Sequence, residues 1–335
     1  MKTRHSFFAL WVVLLTGCFA EDEPVPPYVS PPGVVSRVIE MGPSYGTQHF
    51  YDLETDSVVA VVNRNSWDLA FGSSNLNRAI YLNHSKLMKV CDLGSVDFET
   101  ALLPQQPLWT IDASSGDPDS TGIGIWAEGT AGNLSSKNHV YVLDLGLSTL
   151  GEALGRKKLQ FLGFQNGAYR IRFSSYPSGP IQELSIPIDV NYSFMYASIA
   201  GSGAVVSVAP PSDSWDLLFT QYTTMVPNPD NGILEAYSVN GTLLNPQGVA
   251  AARAYGGEYD SLGISDLPFY PLSNRWDAIG YGWKRYDFNT ASYLIEPQNR
   301  YIVRNRLGNY FNLRFTGFVN EFGQSGYIGL EYKKI

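Results

Sequence analysis

The chain has 335 residues, 44% of them hydrophobic and 13% aromatic. That length calls for two cores rather than one, and that composition excludes a disordered polymer. Its formal charge is −8, more acidic still once Lys2 and Arg4 are set aside, and no basic run offsets it, which argues against nucleic acid as a partner.

Lys2 and Arg4 precede an apolar run from Phe7 to Leu15, too short to span a bilayer but of the proportions of a secretory signal peptide over residues 1–17. It ends in Leu15-Thr16-Gly17-Cys18, which resembles a bacterial lipobox and implies cleavage before Cys18 and acylation of that cysteine. Residues 18–36 are acidic and then proline-rich, and read as an extended tether. Their triplet Glu21-Asp22-Glu23 resembles the surface-export signals of Bacteroidetes lipoproteins. With Cys18 acylated, Cys91 stands alone, so an internal disulfide and a cysteine-based redox or zinc site are excluded.

The body then repeats itself. Residues 65–71 read NSWDLAF and residues 213–219 read DSWDLLF, a Trp-Asp-Leu word in a chain with only seven tryptophans. Alternation predicts strands in which Trp67, Leu69 and Phe71, and likewise Trp215, Leu217 and Phe219, share one face with the Asp opposite. A second word follows each: YRIRF (169–173) and FNLRF (311–315), predicted as β-hairpins closed by Asn166-Gly167 and Gly308-Asn309. Two related units are therefore expected, 37–189 and 190–335. Leu150–Lys158 and Gly248–Tyr255 are the only helices the pattern suggests. Many Tyr, Val and Thr with frequent Gly and Pro complete an all-β reading: two related antiparallel β-sheet units with few short helices.

Further words are shared with a known family. SWDLLFTQYTT, VNGTLLNPQGVAAA, IGYGWKRYDF and RYIVRNRLGNYFNLRFTGFVNEFGQSGYIGLEY resemble the HmuY family. In the first half YDLETDSVVAV, NSWDLAF and IYLN run in the order of that family's opening strands. The resemblance implies an all-β surface lipoprotein of the outer membrane, and the best-known members bind haem for iron acquisition. Haem-binding members supply two axial side chains, His or Met, from loops of the second part of the fold. Here the segment after Trp283 reads KRYDFNTASY, and residues 226–335 contain neither His nor Met. The family's ligand positions do not carry over to any residue of this chain.

Axial candidates must come from elsewhere: His84 and Met88, which would share a face on a helical turn, His139 at the start of a strand, and Met225 at the end of one. Each also has an ordinary reading as a loop, packing or edge residue. Trp276, Tyr281, Trp283 and Tyr286 cluster in NRWDAIGYGWKRY and offer rings for stacking on a porphyrin or another flat ligand. The alternative is that they fill a core.

Asp68 and Asp216, one per unit, lack the Asp-Thr/Ser-Gly loops of aspartic proteases. They read as structural, hydrogen-bonded to Arg172 and Arg314. No nucleophile, zincin, P-loop or dinucleotide motif is present. The expectation is a lipid-anchored, non-catalytic surface protein capturing haem or another ligand, with an outer-membrane receptor as a further partner. The rivals are a structural or adhesive module that kept the fold and lost haem ligation, and a hydrolase with scattered carboxylates.

Overall fold

A computed structural model describes residues 32–73, 78–130, 132–256 and 262–335. The leader, Cys18 and most of the tether lie outside these residues. The chain first forms β1 (Val35–Glu40), β2 (Thr47–Asp52), β3 (Ser57–Asn63), β4 (Leu69–Gly72), β5 (Ile80–Leu82) and β6 (Lys89–Asp92). Next come β7 (Ala127–Thr130), β8 (Asn133–Ser136), β9 (Val140–Asp144), β10 (Arg156–Gln165), β11 (Ala168–Ser175) and β12 (Gln182–Pro187). Then follow β13 (Phe194–Ser198), β14 (Ala204–Val206), β15 (Leu217–Pro227), β16 (Leu234–Leu244) and β17 (Ala250–Tyr255). The last are β18 (Lys284–Asp287), β19 (Ser292–Ile295), β20 (Asn299–Arg304), β21 (Tyr310–Val319) and β22 (Ser325–Lys334). Helix among the described residues is confined to short 3-10 segments at His84–Lys86, Pro118–Ser120 and Ile264–Phe269. The protein is all-β.

Among the described residues the strands form five antiparallel sheets. A five-stranded sheet runs β1-β22-β21-β20-β17, and a seven-stranded one is built on β12-β11-β10, extended by β8-β7 and by β9-β6. Two four-stranded sheets lie between them, β14-β13-β4-β5 and β16-β15-β2-β3, and β18 pairs only with β19. Each four-stranded sheet draws strands from both sides of residue 190. The β2–β3 hairpin packs its first strand on β15, Leu217 opposite Tyr51, while the β13–β14 hairpin packs its first strand on β4, Leu69 opposite Ala197. Residues 33–335 accordingly form one compact unit.

Both faces of these central strands are buried. Leu69 and Phe71 point into the core beneath the seven-stranded sheet, and Leu217 and Phe219 into the core beneath the five-stranded one. Ala70 and Leu218 turn the other way, into a third core that also holds Trp67 and Trp215. The expected face-sharing of each Trp with the following Leu and Phe is therefore wrong. The strand begins only after the Asp, so alternation does not extend back to the Trp.

Neither expected helix forms. Gly151 and Gly155, at φ +80° and +84°, turn the chain before it enters β10, so no helix forms over 150–158. Residues 250–255 are alanine-rich, yet they pair with β20 along their whole length, and Ala251 exchanges two 2.9 Å backbone hydrogen bonds with Ser273. Small side chains suit this buried strand, and tertiary pairing overrides helix propensity. The β10–β11 hairpin closes through Asn166-Gly167, both with positive φ, as a two-residue turn should. Its counterpart β20–β21 needs the longer connection 305–309, organised by Asn305, whose side chain accepts from the Leu307 and Asn309 backbone N–H groups.

Candidate functional site

The two Trp-Asp words build the same hydrogen-bonded knot twice. In the first, the Asp68 backbone N–H donates to Ala197 (2.9 Å), and the Asp68 carbonyl accepts from Asn83 (2.8 Å). The Asn83 amide donates to the carbonyls of Arg64 (2.7 Å) and Trp67 (2.8 Å). In the second, Asp216 donates to Tyr51 (2.8 Å) and accepts from Asn245 (2.9 Å), whose amide donates to Ser212 (2.8 Å) and Trp215 (2.7 Å).

Each carboxylate also accepts a backbone N–H across the sheet, from Ile199 (2.7 Å) or Leu53 (3.0 Å). Each then binds one cation. Asp68 pairs with buried Lys86, and Asp216 with Arg306 at 3.0 Å, which also reaches Asp52. The expected partners Arg172 and Arg314 are occupied elsewhere, by Gln160 and Glu331, because they lie on outer hairpins away from the Trp-Asp words. Burial pushes the Asp216 carboxyl up, against the Leu53 N–H and the Arg306 charge. With their lone pairs taken by backbone and cation, these carboxylates serve the fold.

What the twin knots position is a pair of indoles. Phe50 meets Trp215 edge-on at 4.9 Å, and Tyr196 meets Trp67 edge-on at 5.0 Å. Between them lies a recess of about 40 Å³ whose wall includes Trp67, Trp215, Trp276, Tyr81, Phe194 and His84. His84 stands edge-on to Trp67 at 5.7 Å, and its Nε2 is buried without a hydrogen-bond partner among the described residues. Burial pulls this imidazole down to about 4, so it is neutral at pH 7.

Tyr81, Ser193, Phe194, Pro246 and Trp276 also line an adjoining groove of about 530 Å³, with Asp117, Gln247, Asn274 and Arg275 on its polar side. Trp276 is fixed by close packing against Gly116, at φ +72°, where a Cβ would come within 2.1 Å of the indole. Arg275 is held by Asp277 through contacts of 2.9 and 3.1 Å.

The sequence candidates are dispersed. His84 lies in the recess, but Met88 is buried in the core under the seven-stranded sheet, because Leu87 adopts a left-handed conformation (φ +60°) and ends the helical turn on which the two would have aligned. His139 binds Asp92 through Nδ1 at 2.8 Å, just before β9. Met225 stands 45% exposed on β15. Trp276 and Tyr281 pack on the central core, whereas Trp283 is fully buried and stacks on Phe315 at 4.2 Å. No group of three or more His, Cys, Asp or Glu side chains suited to a metal occurs among the described residues.

Tyr286 belongs to a second surface, the β18–β19 hairpin. Cross-strand pairing sets it against Tyr293, rings 5.1 Å apart, with Phe288 edge-on at 5.1 Å and Tyr293 leaning on Phe318 at 4.9 Å. Tyr286 is 40% and Phe288 77% exposed. Burial first, then the neighbouring phenols of Tyr45, Tyr237 and Tyr286, push the Tyr293 hydroxyl up. At the root of the hairpin Lys284 is buried, its Nζ 4.1 Å from the Trp283 ring centre and 4.5 Å from that of Phe318, and bonded to the Asn240 carbonyl. Burial pulls this ammonium down to about 7. Spacing two residues on from Tyr286 marks Phe288 in the sequence, but Tyr293 lies on the next strand and is brought beside Tyr286 only by cross-strand pairing.

Comparison with known proteins places these features in context. The family model described as HmuY protein matches residues 44–332. Among solved structures, apo PinO from Porphyromonas gingivitis is 10% identical, with 90% of this chain and 97% of that chain covered at a TM-score of 0.29. An apo HmuY analog (TFO) from Tannerella forsythia is 9% identical, with 90% and 95% covered at 0.27. A protein from Bacteroides vulgatus described as a HmuY-like heme binding protein is 12% identical, with 90% and 91% covered at 0.24. Among curated proteins none matches.

Proposed function

This chain belongs to the HmuY family, and on that premise we propose that it is a lipid-anchored, non-catalytic protein of the bacterial surface that captures a flat apolar ligand, haem foremost. The observation that carries this reading is the exposed aromatic face of the β18–β19 hairpin. Its rings are ordered by cross-strand pairing and packing yet open to solvent, so stacking a flat ligand there requires little further ordering. The hairpin follows Trp283 directly, where family members carry a ligating loop. Here the rings are tyrosine and phenylalanine, so the porphyrin is held by stacking rather than by a His or Met pair.

The central recess, at about 40 Å³, is far smaller than the roughly 300–1,000 Å³ of small-molecule sites and takes no porphyrin. Cys18 would supply the anchor, and an outer-membrane receptor would take the ligand onward. A second reading, a structural or adhesive module that lost haem ligation, is favoured by the dispersal of His84, Met88, His139 and Met225. Visible absorption titration of residues 19–335 with haemin separates the two. Capture gives a sharpened, shifted Soret band that saturates at one-to-one, and the structural module gives the spectrum of haemin beside an inert acidic protein.

A further inference from the structure

The recess between the two indoles and the groove outside it remain unused by that reading. We infer that together they bind a 2-acetamido sugar, its acetyl group entering the recess and its ring lying in the groove.

Size is the first argument. A cavity needs about 10–15 Å³ for each water-sized group, so 40 Å³ admits roughly three. An acetyl group has three heavy atoms. Chemistry is the second. The recess wall is mostly aromatic and apolar, which suits a methyl group; its polar members are Ser193 and Ser212, whose hydroxyls bond each other at 2.8 Å, and His84, whose Nε2 is buried and unpartnered among the described residues. A buried polar atom without a partner is costly, and a ligand that supplies one gains accordingly. The ring is neutral, so Nε2 is a donor in one tautomer and an acceptor in the other. An acetamide offers both a carbonyl and an N–H, and it satisfies either tautomer without bringing a charge into an apolar space.

The groove is the third argument. Its volume of about 530 Å³ suits one or two pyranose rings, and its polar side mixes acceptors and donors in Asp117, Gln247, Asn274 and Arg275. Sugar hydroxyls need both kinds. Trp276 forms part of both walls and is held rigidly by Gly116, so the step from recess to groove is preformed.

The test uses residues 19–335, the N-acetylglucosamine trimer as probe, and cellotriose, which lacks the acetamide, as its control. Three tryptophans line the recess, so binding is read by tryptophan emission as well as by calorimetry. The inference expects the acetylated trimer to bind at least tenfold more tightly than cellotriose and to alter the emission. Ala209→Leu, which fills the recess, should abolish that preference while leaving the circular dichroism unchanged. Should that variant fail to fold, Asn274→Ala, at an exposed position of the groove, should weaken binding of the acetylated trimer several-fold. Equal affinity for the two trimers, no binding of either at millimolar concentration, or binding unaffected by both variants would overturn the assignment. Because the site is separate from the β18–β19 face, saturating haemin should leave the sugar affinity unchanged, and each result stands whatever the other shows.

Discussion

The asparagines Asn83 and Asn245 do more for this protein than their polarity suggests. Each closes a knot by donating to two main-chain carbonyls, and each is fully buried. Replacing either with Ala removes two side-chain hydrogen bonds from its knot, and we expect a loss of about 1–3 kcal/mol in urea unfolding. A change within a few tenths of a kcal/mol would refute the role. The Trp-Asp words were legible in the sequence because tryptophan is rare. Their asparagine partners were not, because Asn83 and Asn245 lie at different distances along the chain from the two words. The cations Lys86 and Arg306 differ in kind as well as in position, so no shared word marks them.

Lys284 offers a residue-scale test in pH. Its folded value of about 7 lies below the ordinary 10.5, so its neutral form is favoured in the folded chain. The associated stability is present above 10.5 and is lost as pH falls through 7. Lys284→Met removes this titration. The melting temperature of the variant, compared with the parent, should rise progressively from about pH 10 to about pH 6. A difference that does not change with pH would show that the surrounding rings of Trp283, Phe318 and Tyr293 fully offset the burial.

Turn chemistry and pairing decide the elements. The Asn166-Gly167 hairpin was legible because a two-residue turn demands positive φ at both positions and few residues supply it. The β17 strand was not, because its alanines have no β preference and their state is set by β20 and Ser273, far off in sequence. Glycines separate local from tertiary demands. Gly167 faces open space, so Gly167→Ala should cost only the left-handed penalty of about 1–2 kcal/mol. At Gly146, φ +73°, a Cβ would fall 1.8 Å from the carbonyl oxygen of Lys86, the residue that pairs with Asp68. Gly146→Ala should destabilise distinctly more than Gly167→Ala in parallel thermal melts. Equal effects would mean that the 84–88 segment yields freely.

On the scale of the whole molecule, the reciprocal placement of two hairpins binds the chain together. We propose that 37–189 and 190–335 descend from one unit whose opening hairpin now serves the other copy, since β2–β3 lies against β15 as β13–β14 lies against β4. The two similar words could be read from sequence, but the proposed exchange could not, because such words are compatible with pairing inside or between units. Residues 190–335 alone would leave the edge of β15 open, and they should be unfolded or aggregated. Mixed with residues 33–189, they should recover the β-sheet circular dichroism of the whole. Independent folding of 190–335 as a soluble monomer would contradict the exchange.

The proposed stacking of a flat ligand depends on rings of the β18–β19 hairpin that only the fold sets side by side. The most direct measurement is haemin binding by the parent chain and by the triple variant Tyr286→Ala, Phe288→Ala, Tyr293→Ala, followed through the Soret band at equal protein concentration. The account predicts one-to-one binding by the parent and at least tenfold weaker binding by the variant, with the five-stranded sheet intact by circular dichroism. Equal binding by the two, or a parent spectrum no different from haemin beside an inert acidic protein, would contradict it.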